Sequence, residues 1–101
     1  DICNGIVLAV SDDEIRDAKA VIGKYGLGCE PASAATIAGL KHLRADGTIG
    51  ADERIACVLT GHLLKDPDLT VNYHKDREGQ FSNPPIEAPN ELEEIIKLIG
   101  T

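Results

Sequence analysis

The chain is poor in the residues that usually anchor a hydrophobic core. It has no Trp, no Met, one Phe and two Tyr among 101 residues, so any interior must be built from Ile, Leu, Val and Ala. A single domain of about this length buries only roughly 60–70% of its unfolded surface, and a core of such side chains makes a free-standing fold marginal. Basic residues are also scarce: 10 Lys and Arg face 17 Asp and Glu, for a formal charge of −7. They are scattered along the chain. This argues against a nucleic-acid partner, which is gripped by clustered cations that displace counterions. No long apolar run is present either. The longest, Gly5 to Val10, is far short of the roughly 20 residues of a membrane-spanning helix, so a membrane role is not expected.

Cys3, Cys29 and Cys57 are odd in number and widely separated. Neither a Cys-x-x-Cys pair nor a His at zinc-finger spacing accompanies them, so no disulfide framework and no structural metal is indicated. Cys29 and Cys57 stand in apolar company and read as inert buried thiols. A reducing cytoplasm suits such cysteines. With 43% apolar and 27% charged residues, the composition is that of a folded chain and not a disordered one. The first residue is Asp1 and no signal peptide follows, which reads as a cut within a longer protein.

What is present is an alternation of apolar runs and helical patterns. Ile6–Val10 reads as a strand covered on both faces. Ser11 with Glu14 three residues on forms a capping-box signature, after which Ile15, Ala18, Val21, Ile22 and Tyr25 recur at helical spacing; Gly26 and Gly28 end the pattern. Pro31 suits the first turn of a second helix, expected to run to about Arg44 and to close at Asp46-Gly47. The start of that helix is unusually small-sided, with Ala32, Ser33, Ala34, Ala35, Ala38 and Gly39, so a neighbouring backbone or a flat ligand could approach closely. Arg54–Leu59 gives a second strand pattern ending at Thr60-Gly61-His62. Residues 66–90 are polar, hold Pro67, Pro84, Pro85 and Pro89, and read as a surface excursion. Asn90 then caps a last helix with Leu92, Ile95, Ile96 and Ile99 as its apolar stripe. Together these imply an α/β fold with a mainly parallel sheet and flanking helices, short of the strands that a complete domain of this class carries.

In open α/β sheets ligands collect beyond the carboxyl ends of the strands. Two places qualify: Glu30-Pro31-Ala32-Ser33, where a helix begins, and Thr60-Gly61-His62, where an apolar run ends. The first offers free backbone N–H groups, a hydroxyl and a carboxylate. The second sets a hydroxyl beside a glycine, which would admit something planar.

Taken together, Gly28-Cys29-Glu30-Pro31-Ala32-Ser33-Ala34-Ala35 and Leu59-Thr60-Gly61-His62-Leu63-Leu64-Lys65-Asp66-Pro67 closely resemble the C-terminal part of the threonine synthase family. Ala9–Ile15, Asn83-Pro84-Pro85 and the closing helix resemble it in the same order. The resemblance implies a C-terminal part of the large, cofactor-binding domain of a tryptophan-synthase β-like, pyridoxal 5′-phosphate enzyme that converts O-phospho-L-homoserine and water into L-threonine and phosphate. It implies that Thr60 bonds the pyridine nitrogen of the cofactor, that Gly61 leaves room for the ring, and that Glu30 and Ser33 line the ring side. A neutral hydroxyl at that nitrogen does not hold the ring protonated, which favours elimination and replacement over transamination.

No catalytic residue is assigned within these 101 residues. The cofactor-carrying lysine, the glycine-rich phosphate loop and the smaller substrate-gripping domain of the family are missing, so the chain alone is expected to be inactive and to need the rest of a parent chain. Lys65 is not read as the missing lysine, because it stands in what looks like a surface turn. His62 reads as structural, and His42 and His74 as solvated. Homodimerisation of the intact enzyme is left open. Rival readings are a related pyridoxal-phosphate enzyme, either a cysteate synthase or a threonine or serine dehydratase, and a non-catalytic α/β interaction module that docks through its last helix.

Overall fold

The computed structural model describes residues 3–76 and 79–100. Its order is α1 (Asp12–Lys24), α2 (Pro31–Ala45), a single 3-10 turn (Leu63–Lys65), α3 (Pro67–Lys75) and α4 (Leu92–Ile99). No strand occurs among the described residues, which overturns the expected α/β layout with its parallel sheet. The apolar runs 6–10 and 55–59 are both without regular structure. A strand exists only through the backbone hydrogen bonds it exchanges with a neighbour, and neither run finds that neighbour. Most of their side chains are accordingly open, Val7 being 96% and Val58 70% exposed, while Val10 and Leu59 at the ends of the runs pack against the helices. An apolar run states that residues need cover; it does not state that a second strand supplies it.

The helix starts follow local chemistry. Ser11 Oγ accepts from the Glu14 N–H at 3.3 Å, while Glu14 Oε2 accepts from the Ser11 N–H at 2.7 Å, closing the capping box reciprocally. Asp12, Asp13 and Glu14 all lie in the first turn of α1, where negative charge opposes the helix dipole favourably. Gly26, at φ +80°, takes the chain out of α1, and Gly47, also at +80°, lies just past α2. Pro31 opens α2, with Glu30 as the residue before it.

Packing centres on α1 against α2. Ala18 and Ile22 from α1 meet Ala34 and Ala38 from α2, with Cys29 between the helices and Val10, Ile15, Ile37 and Leu59 around them. Small side chains on both surfaces let the two backbones approach, and Leu8 passes over Gly39, where an added Cβ would lie 3.7 Å from its Cδ1. The interior is consequently small: among the described residues Cys29 is the largest side chain that is fully buried. One reading of the α1 face needs amending. Tyr25, expected on the apolar face, is 78% exposed beyond the last turn, whereas Lys19 is buried at 6% exposure.

The stretch 66–90 is not wholly irregular, because Pro67–Lys75 forms α3, with Pro at its first turn. The α3 side chain Tyr73 donates to Asp17 Oδ1 on α1 at 2.7 Å, and this polar contact fixes a helix whose apolar period is too weak to see in sequence. His74 is correspondingly not solvated. Its Nδ1 accepts from the Asn83 N–H at 3.1 Å, its carbonyl accepts from Ser82 Oγ, and its ring meets Tyr73 edge-on. The last helix begins one residue later than its sequence suggests: Glu91, not Asn90, is the cap residue and no side chain caps it. None of the α4 residues is buried.

Candidate cofactor-ring site

The two motifs separated by 27 residues come together. Glu30 precedes α2 and Ser33 lies in its first turn; Thr60 and Gly61 end the second apolar run. The Glu30 N–H donates to the Gly61 carbonyl at 3.0 Å, which ties the two segments backbone to backbone. Ser33 Oγ, on a residue only 4% exposed, accepts from the Thr60 N–H at 2.9 Å and more weakly from the Gly61 N–H at 3.4 Å. Its hydroxyl is 3.1 Å from that of Thr60. Thr60 in turn donates to Glu30 Oε1 at 3.3 Å. All four residues expected at the ring site thus form one connected cluster, and Thr60 stands at the surface.

Lys65 completes the cluster. Its ammonium pairs with Glu30 Oε2, and the side chain is 67% exposed against 12% for Glu30. This bond to Lys65, reinforced by the Thr60 hydroxyl, holds the Glu30 carboxyl below its ordinary range. The 3-10 turn that carries Lys65 is set by His62, whose Nδ1 accepts from the Leu64 N–H at 3.1 Å. His62 is therefore a turn-capping residue, and Lys65 sits in a surface turn as its sequence suggests. Its pairing with Glu30 was not legible there: 35 positions separate them, and no periodicity relates a helix start to a distant turn.

The glycine of this cluster is confined. A Cβ built on Gly61 would run into the Glu30 carboxyl group, so the flank of Gly61 is occupied by that carboxylate and no larger residue fits without moving it. A hydroxyl donor at the surface, a glycine beside it and a carboxylate that can swing on a flexible stem suit the nitrogen edge of a flat heteroaromatic ring. No phosphate cradle belongs to the cluster.

Other features lie apart. A cleft of about 600 Å3 between α1 and α3 is lined by Asp13, Arg16, Asp17, Tyr73 and Asp76. Burial, with Asp17 beside it, pushes the Tyr73 phenol up. His42 is not simply solvated either, since its Nε2 lies 2.6 Å from Glu14 Oε1 and joins α2 to the α1 cap. The thiols are all free: Cys29 is buried and its pKa raised by that burial, Cys57 is half-buried rather than buried, and Cys3 is exposed. No group of residues able to hold a metal ion is found among the described residues. No helix among them is long and apolar enough to cross a membrane.

The cluster thus joins a surface hydroxyl to a helix start, beside a glycine and a paired carboxylate. No family model matches the chain. Curated relatives do: a threonine synthase of Methanocaldococcus jannaschii is 52% identical over 68 residues, 66% of this chain and 17% of the relative. One of Methanosarcina acetivorans is 46% identical over 69 residues, 67% of this chain and 17% of the relative. That of Synechocystis is 45% identical over 98 residues, 96% of this chain and 24% of the relative. The chain thus spans about a fifth of the length of the curated relatives it matches. The resemblance carried by its motifs is borne out: the sequence is similar to a C-terminal segment of threonine synthase.

Proposed function

We propose that this chain forms one wall of the cofactor site of a pyridoxal-phosphate-dependent threonine synthase, as a C-terminal part of its large domain, with O-phospho-L-homoserine and water as substrates of the complete enzyme. The observation that carries the reading is the meeting of Thr60, Gly61, Ser33 and Glu30 in one hydrogen-bonded cluster. Relatives named threonine synthase support it over a rival cysteate synthase or dehydratase.

Bound pyridoxal phosphate supplies the electron sink for carbanion chemistry on an amino-acid substrate. The residues of this chain do four things toward it. Thr60 offers its hydroxyl to the ring nitrogen; Gly61 leaves the edge of the ring room once the Glu30 carboxylate moves off its flank; Ser33 fixes the Thr60 backbone; Glu30 lines the flank. The lysine that carries the cofactor and the loop that holds its phosphate come from the rest of the parent chain, so the 101 residues by themselves are inactive. The three free cysteines suit a reducing compartment. We assign it to the cytoplasm, although a relative in Arabidopsis thaliana is named as chloroplastic.

The test is spectroscopic and uses the complete gene product. It should be yellow, release phosphate from O-phospho-L-homoserine and form threonine. Thr60→Ala should weaken cofactor retention by about tenfold, the value of one hydrogen bond of roughly 1.4 kcal/mol, and Thr60→Asp should shift the visible band. A colourless product that instead forms a complex through Leu92 and Ile96 would support the interaction module.

A further inference from the structure

The hydroxyls of the cluster have a direction. Ser33 Oγ accepts two backbone N–H groups, from Thr60 and Gly61, which fills both of its acceptor positions. Its own hydrogen is therefore turned to Thr60 Oγ1, 3.1 Å away. Thr60 then spends its hydrogen on Glu30 Oε1, and Glu30 Oε2 takes the Lys65 ammonium. The order of donation runs Ser33 to Thr60 to Glu30, with Lys65 closing the chain from the far side.

This order makes Thr60 a donor toward whatever stands at its outer edge. A donor hydroxyl needs a lone pair to meet, and an aromatic ring nitrogen has one only while unprotonated. The Glu30 carboxylate works against that state, because a negative charge beside a basic nitrogen favours its protonation. Lys65 is the cation positioned to cancel that charge. Among the described residues no other cation bonds to Glu30: buried Lys19 on α1 acts on the Cys29 thiol, which is neutral and made more so by burial, the Glu30 carboxyl answers to Lys65 and Thr60, and His62 uses Nδ1 to accept from the Leu64 N–H.

We propose that Lys65 is a positioning residue of the ring site: by pairing with Glu30 it neutralises the carboxylate beside Thr60 and so keeps the heteroaromatic nitrogen that Thr60 receives unprotonated. The carboxylate holds the Thr60 hydroxyl in its donating orientation until the ring nitrogen replaces Oε1 as acceptor, and Lys65 retains the displaced carboxylate as an ion pair. The inference rests on the cofactor reading above and deepens it.

The experiment compares the complete gene product with its Lys65→Met, Lys65→Arg and Lys65→Met/Glu30→Gln variants, each loaded with pyridoxal phosphate labelled with 15N in the ring. Because Lys65 is largely exposed, its replacement leaves the packed helices intact. In Lys65→Met the Glu30 carboxyl, followed by 13C NMR before loading, should titrate at higher pH. After loading, the 15N shift should move toward the protonated value, with proton affinity of the ring raised about tenfold or more. Arg should preserve the wild-type shift and the double variant should restore it. A Glu30 titration unmoved by Lys65→Met, or a 15N shift unmoved while Glu30 responds, overturns the inference and leaves the cofactor reading standing. A wild-type protein that fails to take up pyridoxal phosphate overturns both.

Discussion

At the residue scale, single polar groups decide the geometry. Ser11 and Glu14 close α1 on each other, and Glu14 also reaches His42 on α2. The backbone N–H of Ser11, first among several bonds, holds the Glu14 carboxyl below its ordinary value of 4.5. A carboxyl lowered on folding stabilises the fold above its unfolded pKa, and that contribution disappears as pH falls through the lowered, folded value. Acid titration followed by circular dichroism should therefore show α1 loosening below the ordinary carboxylate range, and Glu14→Gln should remove that step. Ser11→Ala should cost about 1 kcal/mol, read as a lower denaturant midpoint with an unchanged slope; an unchanged midpoint would mean that the cap contributes nothing. The capping box was legible because it is a local pattern of four residues. The Lys65–Glu30 and Tyr73–Asp17 pairs were not, since they depend on where the intervening chain has travelled.

At the element scale, α1 and α2 differ from α4 in what their apolar sides meet. Ala18, Ala34 and Ala38 are at most 1% exposed in the seam between the first two helices, where extra methylenes have nowhere to go. Ala38→Leu should cost about 1–3 kcal/mol through overpacking. The α4 stripe is of the opposite kind: Leu92 is 71% and Ile99 67% exposed, so Leu92→Asp should change stability by under about 0.5 kcal/mol in this chain. Thermal unfolding of both variants separates the two cases; equal losses would place α4 in the packed body. Helix periodicity located α1, α2 and α4 within a residue or two, because capping and spacing are local. It passed over α3, whose place is held by Tyr73 and the half-buried His74 instead of by an apolar stripe, and it turned two apolar runs into strands that have no pairing neighbour.

At the scale of the whole molecule, the chain is extended for its length. Its radius of gyration is 17.0 Å and its extents are 59 × 27 × 25 Å, whereas a compact domain of about 100 residues has a radius near 13 Å. It exposes 7952 Å2, against about 5,500 Å2 for a compact monomer of this mass. Large apolar side chains lie open on it: Ile6, Val7 and Leu8, then Ile55 and Val58, then Leu92, Ile96 and Ile99 of α4. Surfaces of that kind normally meet another surface. The isolated 101 residues should therefore bind the dye ANS and unfold with a shallow denaturant slope, whereas a steep, dye-free transition would show that the small α1–α2 core suffices. By itself the sequence determined the starts and stops of α1 and α2 and the family resemblance, because each depends on residues close in the chain or on their identity alone. Only the tertiary structure decided that the apolar runs stay unpaired and that Lys65 joins Glu30, Ser33 and Thr60. Those outcomes are contacts between distant segments, and no local pattern encodes which partner a residue will find.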